Sequence, residues 1–369
     1  MQFTATRDRL LDGLQTIRGA VSGKSTLPIL MNILLQANGD QLTMTATDLE
    51  ISIQSHVNTT IQAEGSCTIP AKKFQRLIQE LPSSDTELHF QTEENQAQLT
   101  VPETQSDFQL PILSPEEFPS LPEVEDGFKF SLDADELDYL LNHTHFAAAT
   151  DTSRSYLCGV YFDLQTENLT MVATDAHRLA LHQTPLSNFE AEDQSLLVPI
   201  KAAQELAKIL PEDEIVTIHS DKSLVEFNLG DARLISRLVE EDFPNYHQVI
   251  PDEFEKRITI GRKRLHNAIK RVSLLADEKT RRLLIQVKPQ ELHVQAETSD
   301  KGGGEEIIPI DYEGETQTIA FNGDYLEAVL SHIEDDEIYF DLISENSPGT
   351  FRPLDGDDYL YIIMPLRLN

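Results

Sequence analysis

The chain has 369 residues, 40% hydrophobic and 25% charged, a balance that sets aside disordered and fibrous classes and leaves room for two or three domains. Its net charge of -34 argues against an open surface for nucleic acid or anionic lipid unless the cations are segregated from the acids. Cys67 and Cys158 are the only cysteines, so a thiolate metal site is excluded and a reducing compartment is expected. Arg7, Asp8, Arg9, Asp12 and Arg18 interrupt the apolar positions near the N-terminus, and no apolar run reaches the ~18 residues of a membrane span. The expectation is a cytoplasmic protein with no membrane partner, no metal and no cofactor.

In chain order, residues 3–21 read as a short strand followed by a helix with Leu10, Leu11, Leu14 and Ile17 on one face. Leu42-Thr-Met-Thr-Ala-Thr-Asp48 alternates as a half-buried strand does. Residues 70–82 begin and end in proline, the signature of a helix that Pro70 opens and Pro82 stops. Residues 114–126, acidic and rich in proline, read as a linker.

The same series then recurs. Residues 130–149 repeat the strand and helix, with Leu137, Leu140 and Leu141 as the apolar face. Leu169-Thr-Met-Val-Ala-Thr-Asp175 matches the first strand motif at six of seven positions, 127 residues on (169 − 42). Residues 199–211 again run from proline to proline, and residues 243–255 read as a second linker. A third series follows: residues 258–276 with Leu265, Ile269 and Val272; Leu292-His-Val-Gln-Ala-Glu-Thr298, 123 residues after the second copy (292 − 169); and residues 322–333 in the place of the second helix. Repetition at a fixed period defines the architecture. The chain is expected to be α+β, with three tandem domains at residues 1–122, 128–250 and 251–369. Three in-line units with free sheet edges at both ends invite closure by a second copy, and a head-to-tail dimer would be a ring of six domains.

The cations are not evenly spread. Residues 256–282 hold ten basic residues against Asp277 and Glu278. Elsewhere basic residues fall on expected helices: Arg7, Arg9, Arg18 and Lys24 near the first, Lys72, Lys73 and Arg76 on the second, Lys201 and Lys208 on the fourth. Such residues suit sequence-independent phosphate contact. A catalytic reading finds no support. Asp175 and His177 lack a Gly-x-Ser-x-Gly elbow, and as an i, i+2 pair on a strand they share one face for packing or turn bonding. Asp48, which has no histidine two residues on, points to a fold role for the aspartate. Gly302, Gly303 and Gly304 lack the ending of a phosphate-binding loop and read as a hairpin tip.

Six ordered motifs make the whole chain resemble the bacterial β sliding clamp family: Thr26-Leu-Pro-Ile-Leu30 with Asn32, Thr47-Asp-Leu-Glu50, Thr174-Asp-Ala-His-Arg-Leu179, Phe243-Pro-Asn-Tyr246, Phe321-Asn322 with Tyr325, and Met364-Pro-Leu-Arg-Leu368. The resemblance implies a non-catalytic ring of DNA-clamp repeats, helices lining a central hole and sheets outside, which encircles duplex DNA and tethers a polymerase catalytic subunit. It further implies a separate clamp loader and other replication and repair proteins that carry short clamp-binding peptides. By position it places Lys24, Arg154 and Tyr156 at the DNA. It places Leu157, Thr174, His177, Arg178, Leu179, Pro244, Val249, Asn322, Tyr325, Met364, Pro365, Leu366 and Arg367 around a peptide pocket, with Gln248 where a basic residue is usual. For the ring interface it implies Phe108 and Leu110 meeting Leu274 and Leu275, flanked by pairs between Lys72 or Lys73 and Glu297, Asp300, Glu305 and Glu306.

Overall fold

The computed structural model describes every residue except 83, 187–188, 190–192, 252, 299–301, 357 and 368–369, and it leaves the side chains of Glu297 and Thr298 undescribed. Three repeats follow one order. The first comprises β1 (Gln2–Thr6), α1 (Arg7–Ile17), β2 (Asn32–Asn38), β3 (Gln41–Thr47), β4 (Ile51–Asn58), β5 (Thr60–Ala63), β6 (Gly65–Pro70), α2 (Ala71–Gln79), β7 (Glu87–Glu93), β8 (Gln96–Val101) and β9 (Ser106–Pro111). The second comprises β10 (Phe128–Asp133), α3 (Ala134–Thr144), β11 (Gly159–Leu164), β12 (Asn168–Thr174), β13 (Arg178–Pro185), β14 (Gln194–Pro199), α4 (Ile200–Ile209), β15 (Ile215–Ser220), β16 (Leu224–Asn228) and β17 (Ala232–Arg237). The third comprises β18 (Lys256–Gly261), α5 (Arg262–Ser273), β19 (Arg282–Lys288), β20 (Glu291–Thr298), β21 (Gly302–Pro309), β22 (Gln317–Asn322), α6 (Gly323–His332), β23 (Glu337–Leu342), β24 (Gly349–Pro353) and β25 (Tyr359–Ile363).

The expected helix faces are the buried ones. Leu10, Leu14 and Ile17 on α1 are buried, with Leu11, expected beside them, only half-buried; Leu137, Leu140 and Leu141 on α3 and Leu265, Ile269 and Val272 on α5 are buried too. Pro70 caps α2, whose buried side is Ala71, Phe74 and Ile78. The three strand motifs are β3, β12 and β20. Strict alternation fails at the ends of β3 and β12: residues 44–47 and 171–174 are buried on both faces, because helices or loops cover the second face there.

Although the sequence repeats three times, the chain divides into two compact units: residues 1–137 with 204–238, and residues 138–203 with 239–369. The reason is strand sharing. In the first unit one sheet has the order β10-β15-β16-β17-β4-β3-β2-β6, and β17 of the second repeat pairs antiparallel with β4 of the first. In the second unit the order is β14-β11-β12-β13-β25-β24-β23-β18, joined by antiparallel β13 and β25. Each unit also holds a smaller sheet, β5-β1-β7-β8-β9 in the first and β21-β20-β19-β22 in the second. Stacked phenylalanines mark both cores: Phe3 and Phe90, 4.8 Å apart, in the first unit, and Phe340 and Phe351, 4.6 Å apart, in the second.

The acidic segment 114–126 between the first two repeats is held down at its start: Phe118 is buried against Ile29 and Leu30, and the preceding Leu113 bridges Thr68. Likewise residues 243–255 contain a short helical turn, Tyr246–Val249, with Tyr246 buried in the sheet face. Gly302, Gly303 and Gly304 open β21 opposite Thr298, Glu297 and Ala296 instead of forming a hairpin tip. A side chain at 304 would begin 2.8 Å from Leu275 Cδ1, so a larger residue there would have to displace the end of the Leu275 side chain.

Candidate functional site

The second unit carries a cavity of about 300 Å³ lined by Arg154, Tyr156, Leu157, Thr174, Ala176, Arg178, Leu179, Pro244, Asn245, Tyr246, Val249, Ile362 and Met364. Its floor is buried: Leu157, Leu179, Tyr246 and Ile362 are nearly inaccessible. Tyr156, Val249 and Met364 stand at its edge, each about two-fifths exposed at 38%, 43% and 39%. An enclosed apolar floor with exposed, adaptable apolar edges suits capture of an extended peptide's hydrophobic side chains.

One wall is the turn between β12 and β13. Thr174 Oγ1 accepts from the Ala176 N–H (3.1 Å) and donates to the Arg178 carbonyl (2.6 Å). Asp175 Oδ1 accepts from the N–H groups of His177 (2.9 Å) and Arg178 (3.0 Å). The first repeat builds the same turn, Thr47 accepting from Leu49 and donating to Ile51, Asp48 accepting from Glu50 and Ile51. Ala176 and Leu49 have φ of 72° and 77° at matching places. The recurrent Thr-Asp pair is therefore a device that holds a left-handed turn. Asp175 and His177 lie in this turn, not on a strand, which corrects their expected placement; the fold role expected for the aspartate is seen.

Arg178 is fixed from several sides. Its Nε lies 3.1 Å from Asp175 Oδ2, its Nη2 donates to the Phe146 carbonyl (2.7 Å), and its guanidinium packs over Tyr325 at 4.8 Å. Burial and Asp175 hold the Tyr325 hydroxyl above its ordinary pKa. His177 stacks on Tyr325, with ring centroids 6.3 Å apart, and its carbonyl accepts from the Met364 N–H (2.8 Å). Asn322 caps α6 by accepting from the Asp324 N–H (2.9 Å), and Leu366 bridges Ala320.

The structure thus brings Leu157, Thr174, Arg178, Leu179, Pro244, Val249 and Met364 together around the cavity. His177 and Tyr325 adjoin it through Arg178, Asn322 caps the helix that carries Tyr325, and Leu366 bridges Ala320, while Pro365 is half-buried and Arg367 exposed on the closing segment. Arg154 and Tyr156, expected at DNA, stand on the cavity wall. Ala176, Asn245, Tyr246 and Ile362 were not anticipated. A signal for Tyr246 existed in Phe118-Pro119 and Phe243-Pro244, which recur 125 residues apart (243 − 118). Phe118 packs by Leu34 and Phe243 stacks on Tyr161 (4.7 Å), seating Tyr246 so that its hydroxyl donates to Asp163 (2.7 Å).

Lys72, Lys73 and Arg76 are exposed on α2 opposite its buried face; Lys24, Lys201 and Lys208 are exposed too, and Lys208 pairs with Glu205 at 2.7 Å. Most of the basic run 256–282 is engaged internally. Arg257 is bidentate to Asp341 (2.8 Å twice), Lys263 meets Asp336 (2.9 Å), Arg271 meets Glu306 (2.5 Å) and Arg281 lies 3.5 Å from Asp324. Arg7, expected on a free helix face, donates to the carbonyls of Ile78 and Gln79 and ties α1 to the end of α2.

At the ends of the two small sheets, Phe108 is half-buried and Leu110 buried on the edge strand β9, while Leu274, 80% exposed, and Leu275 follow α5. The acids expected to bridge copies are already engaged. Glu305 accepts from His293 (2.7 Å) and Gln295 (2.5 Å), and Glu306 pairs with Arg271. Asp300 and the Glu297 side chain lie outside the described residues. Both cysteines are free thiols, and burial pushes Cys67 up to about 12. Among the described residues there is no cluster of ligands that could hold a metal ion and no helix long and apolar enough to cross a membrane.

Family models for the N-terminal, central and C-terminal domains of the DNA polymerase III beta subunit match residues 1–122, 131–245 and 247–367. Over its full length and theirs the chain is 34% identical to the beta sliding clamp of Pseudomonas aeruginosa and 33% identical to that of Synechocystis. Among solved structures it is similar to the Pseudomonas aeruginosa sliding clamp bound to griselimycin (TM-score 0.96, 32% identity) and to the sliding clamp of Bacillus subtilis (TM-score 0.94, 29% identity), with complete coverage of both chains in each comparison.

Proposed function

Because the chain belongs to the DNA polymerase III beta subunit family, the non-catalytic sliding clamps, we propose that it closes head to tail with a second copy into a ring around duplex DNA. In the cytoplasm that ring tethers the replicative polymerase, and it receives the clamp loader and other replication and repair proteins at the cavity of the second unit.

The observation that carries the ring is the pattern of sheet edges. Within the chain, β17 of the second repeat pairs with β4 of the first, and β25 of the third with β13 of the second. By position in the repeat, β9 corresponds to β17 and β25, and β21 corresponds to β4 and β13. These two strands are edges of the small sheets. Pairing β9 of one copy with β21 of another would complete a third junction of the same kind and satisfy the backbone groups of both edges. Phe108, Leu110, Leu274 and Leu275 are its apolar core, and Ile307, 49% exposed on β21, joins them. Glu305 and Glu306, already engaged within the chain, add little to closure. The domain limits 1–122, 128–250 and 251–369 belong to this reading.

The cavity supports the tethering role. Leu157, Leu179, Pro244, Val249 and Met364 take apolar peptide side chains; Thr174, His177, Arg178, Asn322, Tyr325, Pro365, Leu366 and Arg367 form the polar and closing side. We assign Arg154 and Tyr156 to the peptide as well, from their place on the wall. Lys24, Lys72, Lys73, Arg76, Lys201 and Lys208 are the DNA-contacting cations. Loading onto nicked circular DNA by a cognate loader, followed by linearisation, tests the whole. Loss from the linear form with retention on the circle is expected; equal behaviour on both forms would leave a peptide-binding scaffold without a ring.

A further inference from the structure

Cations are most numerous on α5, which carries Arg262, Lys263, Arg264, Lys270 and Arg271. Four of these are spoken for. Arg262 donates to the carbonyls of Asp335 (3.2 Å) and Leu330 (3.4 Å), Lys263 pairs with Asp336 (2.9 Å), Lys270 with Glu327 (3.8 Å), and Arg271 with Glu306 through two bonds. A carboxylate within 4 Å cancels most of the field that a cation presents to a phosphate farther away. On α3 and α6 the charges are acidic: Asp135, Glu136 and Asp138 on the former, Asp324 and Glu327 on the latter.

The helix α2 differs. Its sequence holds Lys72, Lys73 and Arg76 and no acid, and all three are exposed while Phe74 and Ile78 are buried on the other side. Among the described residues none of the three makes an ion pair. Lys72 Nζ stands 3.9 Å from where a side chain at Gly23 would begin, so the loop bearing the exposed Lys24 adjoins the helix and extends the patch.

We infer that Lys24, Lys72, Lys73 and Arg76 form the principal surface by which this chain holds the phosphodiester backbone of duplex DNA, and that α5, the most basic helix, contributes little. The inference rests on the DNA-encircling reading above and refines it. The charged groups of the patch are two ammonium groups on α2, that of Lys24 and one guanidinium, which meet phosphates rather than base edges, so the contact is independent of sequence and strongly dependent on salt.

The test is equilibrium binding of a short fluorescein-labelled duplex to the full-length dimer, followed by anisotropy across a series of potassium chloride concentrations. Each phosphate neutralised adds about 0.9 to the slope of log affinity against log salt, so Lys72→Ala, Lys73→Ala and Arg76→Ala together should reduce the slope by up to about 3 per protomer. The matching triple change of Lys263, Lys270 and Arg271 to alanine should reduce it by less than about 1. Removing the neutralising acids by Glu327→Gln and Asp336→Asn should tighten binding, because Lys263 and Lys270 are released. Equal losses from the two triple variants, or no gain on removing the acids, would overturn the inference. Thermal unfolding and sedimentation of each variant separate these outcomes from loss of fold or dimer. If the unaltered protein showed no preference for circular over linear DNA, the encircling function itself would fail; retention on circles with equal losses from α2 and α5 would sink only the asymmetry.

Discussion

Asp175 and Arg178 form one structural knot: the carboxylate caps the turn through the Arg178 N–H at 3.0 Å and meets the same residue's guanidinium at 3.1 Å, with both side chains 15% exposed. The residue that aims the cavity's cation also holds the loop that carries it. Asp48 provides the turn cap in the first repeat, which separates the fold role from the site role.

Replacing either aspartate by alanine should lower stability by about 1.5–3 kcal/mol, the range for hydrogen bonds to a charged group. Only Asp175→Ala should also weaken binding of a polymerase-derived peptide, since Arg178 loses its anchor. Denaturant titration and calorimetry check this pair, and equal peptide affinity in the two variants would refute the special role of Asp175.

The cavity edge can be emptied with little cost to the fold, because Tyr156 and Val249 are substantially exposed. Tyr156→Ala with Val249→Ala should raise the peptide Kd roughly tenfold or more, about 1.4 kcal/mol per decade, at near-constant stability. Leu157→Ala, at a position 2% exposed, should instead cost about 2–5 kcal/mol of stability. A Kd unmoved by the edge variant would put the peptide elsewhere.

Leu274, 80% exposed in the single chain, should tolerate Leu274→Asp without change in thermal stability of the protomer while the dimer dissociates at higher concentration. Analytical ultracentrifugation reads this directly. An unaltered dimer would remove Leu274 from the interface. Since Glu305 and Glu306 are satisfied within the chain, dimer dissociation should depend only weakly on salt.

Acid should loosen the second unit. Burial, with His143 alongside, holds His182 down to about 4 from 6.5, partly opposed by a backbone bond at Gln183. Tyr139, His143 and Tyr359 wall the ring. The unfolded chain binds this proton near 6.5, so the stabilisation is complete above that pH and is lost as pH falls toward 4. Burial shifts His332 the same way. His293, raised by Glu305 and Glu291, acts oppositely: its contribution is present in acid and fades as pH rises through its raised value. His182→Phe should flatten the decline between 6.5 and 4 by an amount on the order of 3 kcal/mol, measured by urea unfolding across pH. Parallel curves for the two proteins would contradict it.

By itself the sequence determined the three repeats, the six helices, the buried faces of the first helix in each repeat and the strand motif that became β3, β12 and β20, because hydrophobic spacing and proline boundaries are local properties. Most of the cavity, from Leu157 through Pro244 to Met364, was also legible, carried by ordered motifs along the whole chain. Only the tertiary structure decided how the repeats share sheets, since pairing β17 with β4 joins residues far apart in the chain. It showed Arg154 and Tyr156 lining the cavity and Thr174 and Asp175 at work within their own turn. It also decided which cations remain available. Lys263 and Lys72 look alike in sequence, but the first finds Asp336 across 73 residues while the second stands on a helix without an acid. A charge declares its sign in the sequence; its partner is set by packing.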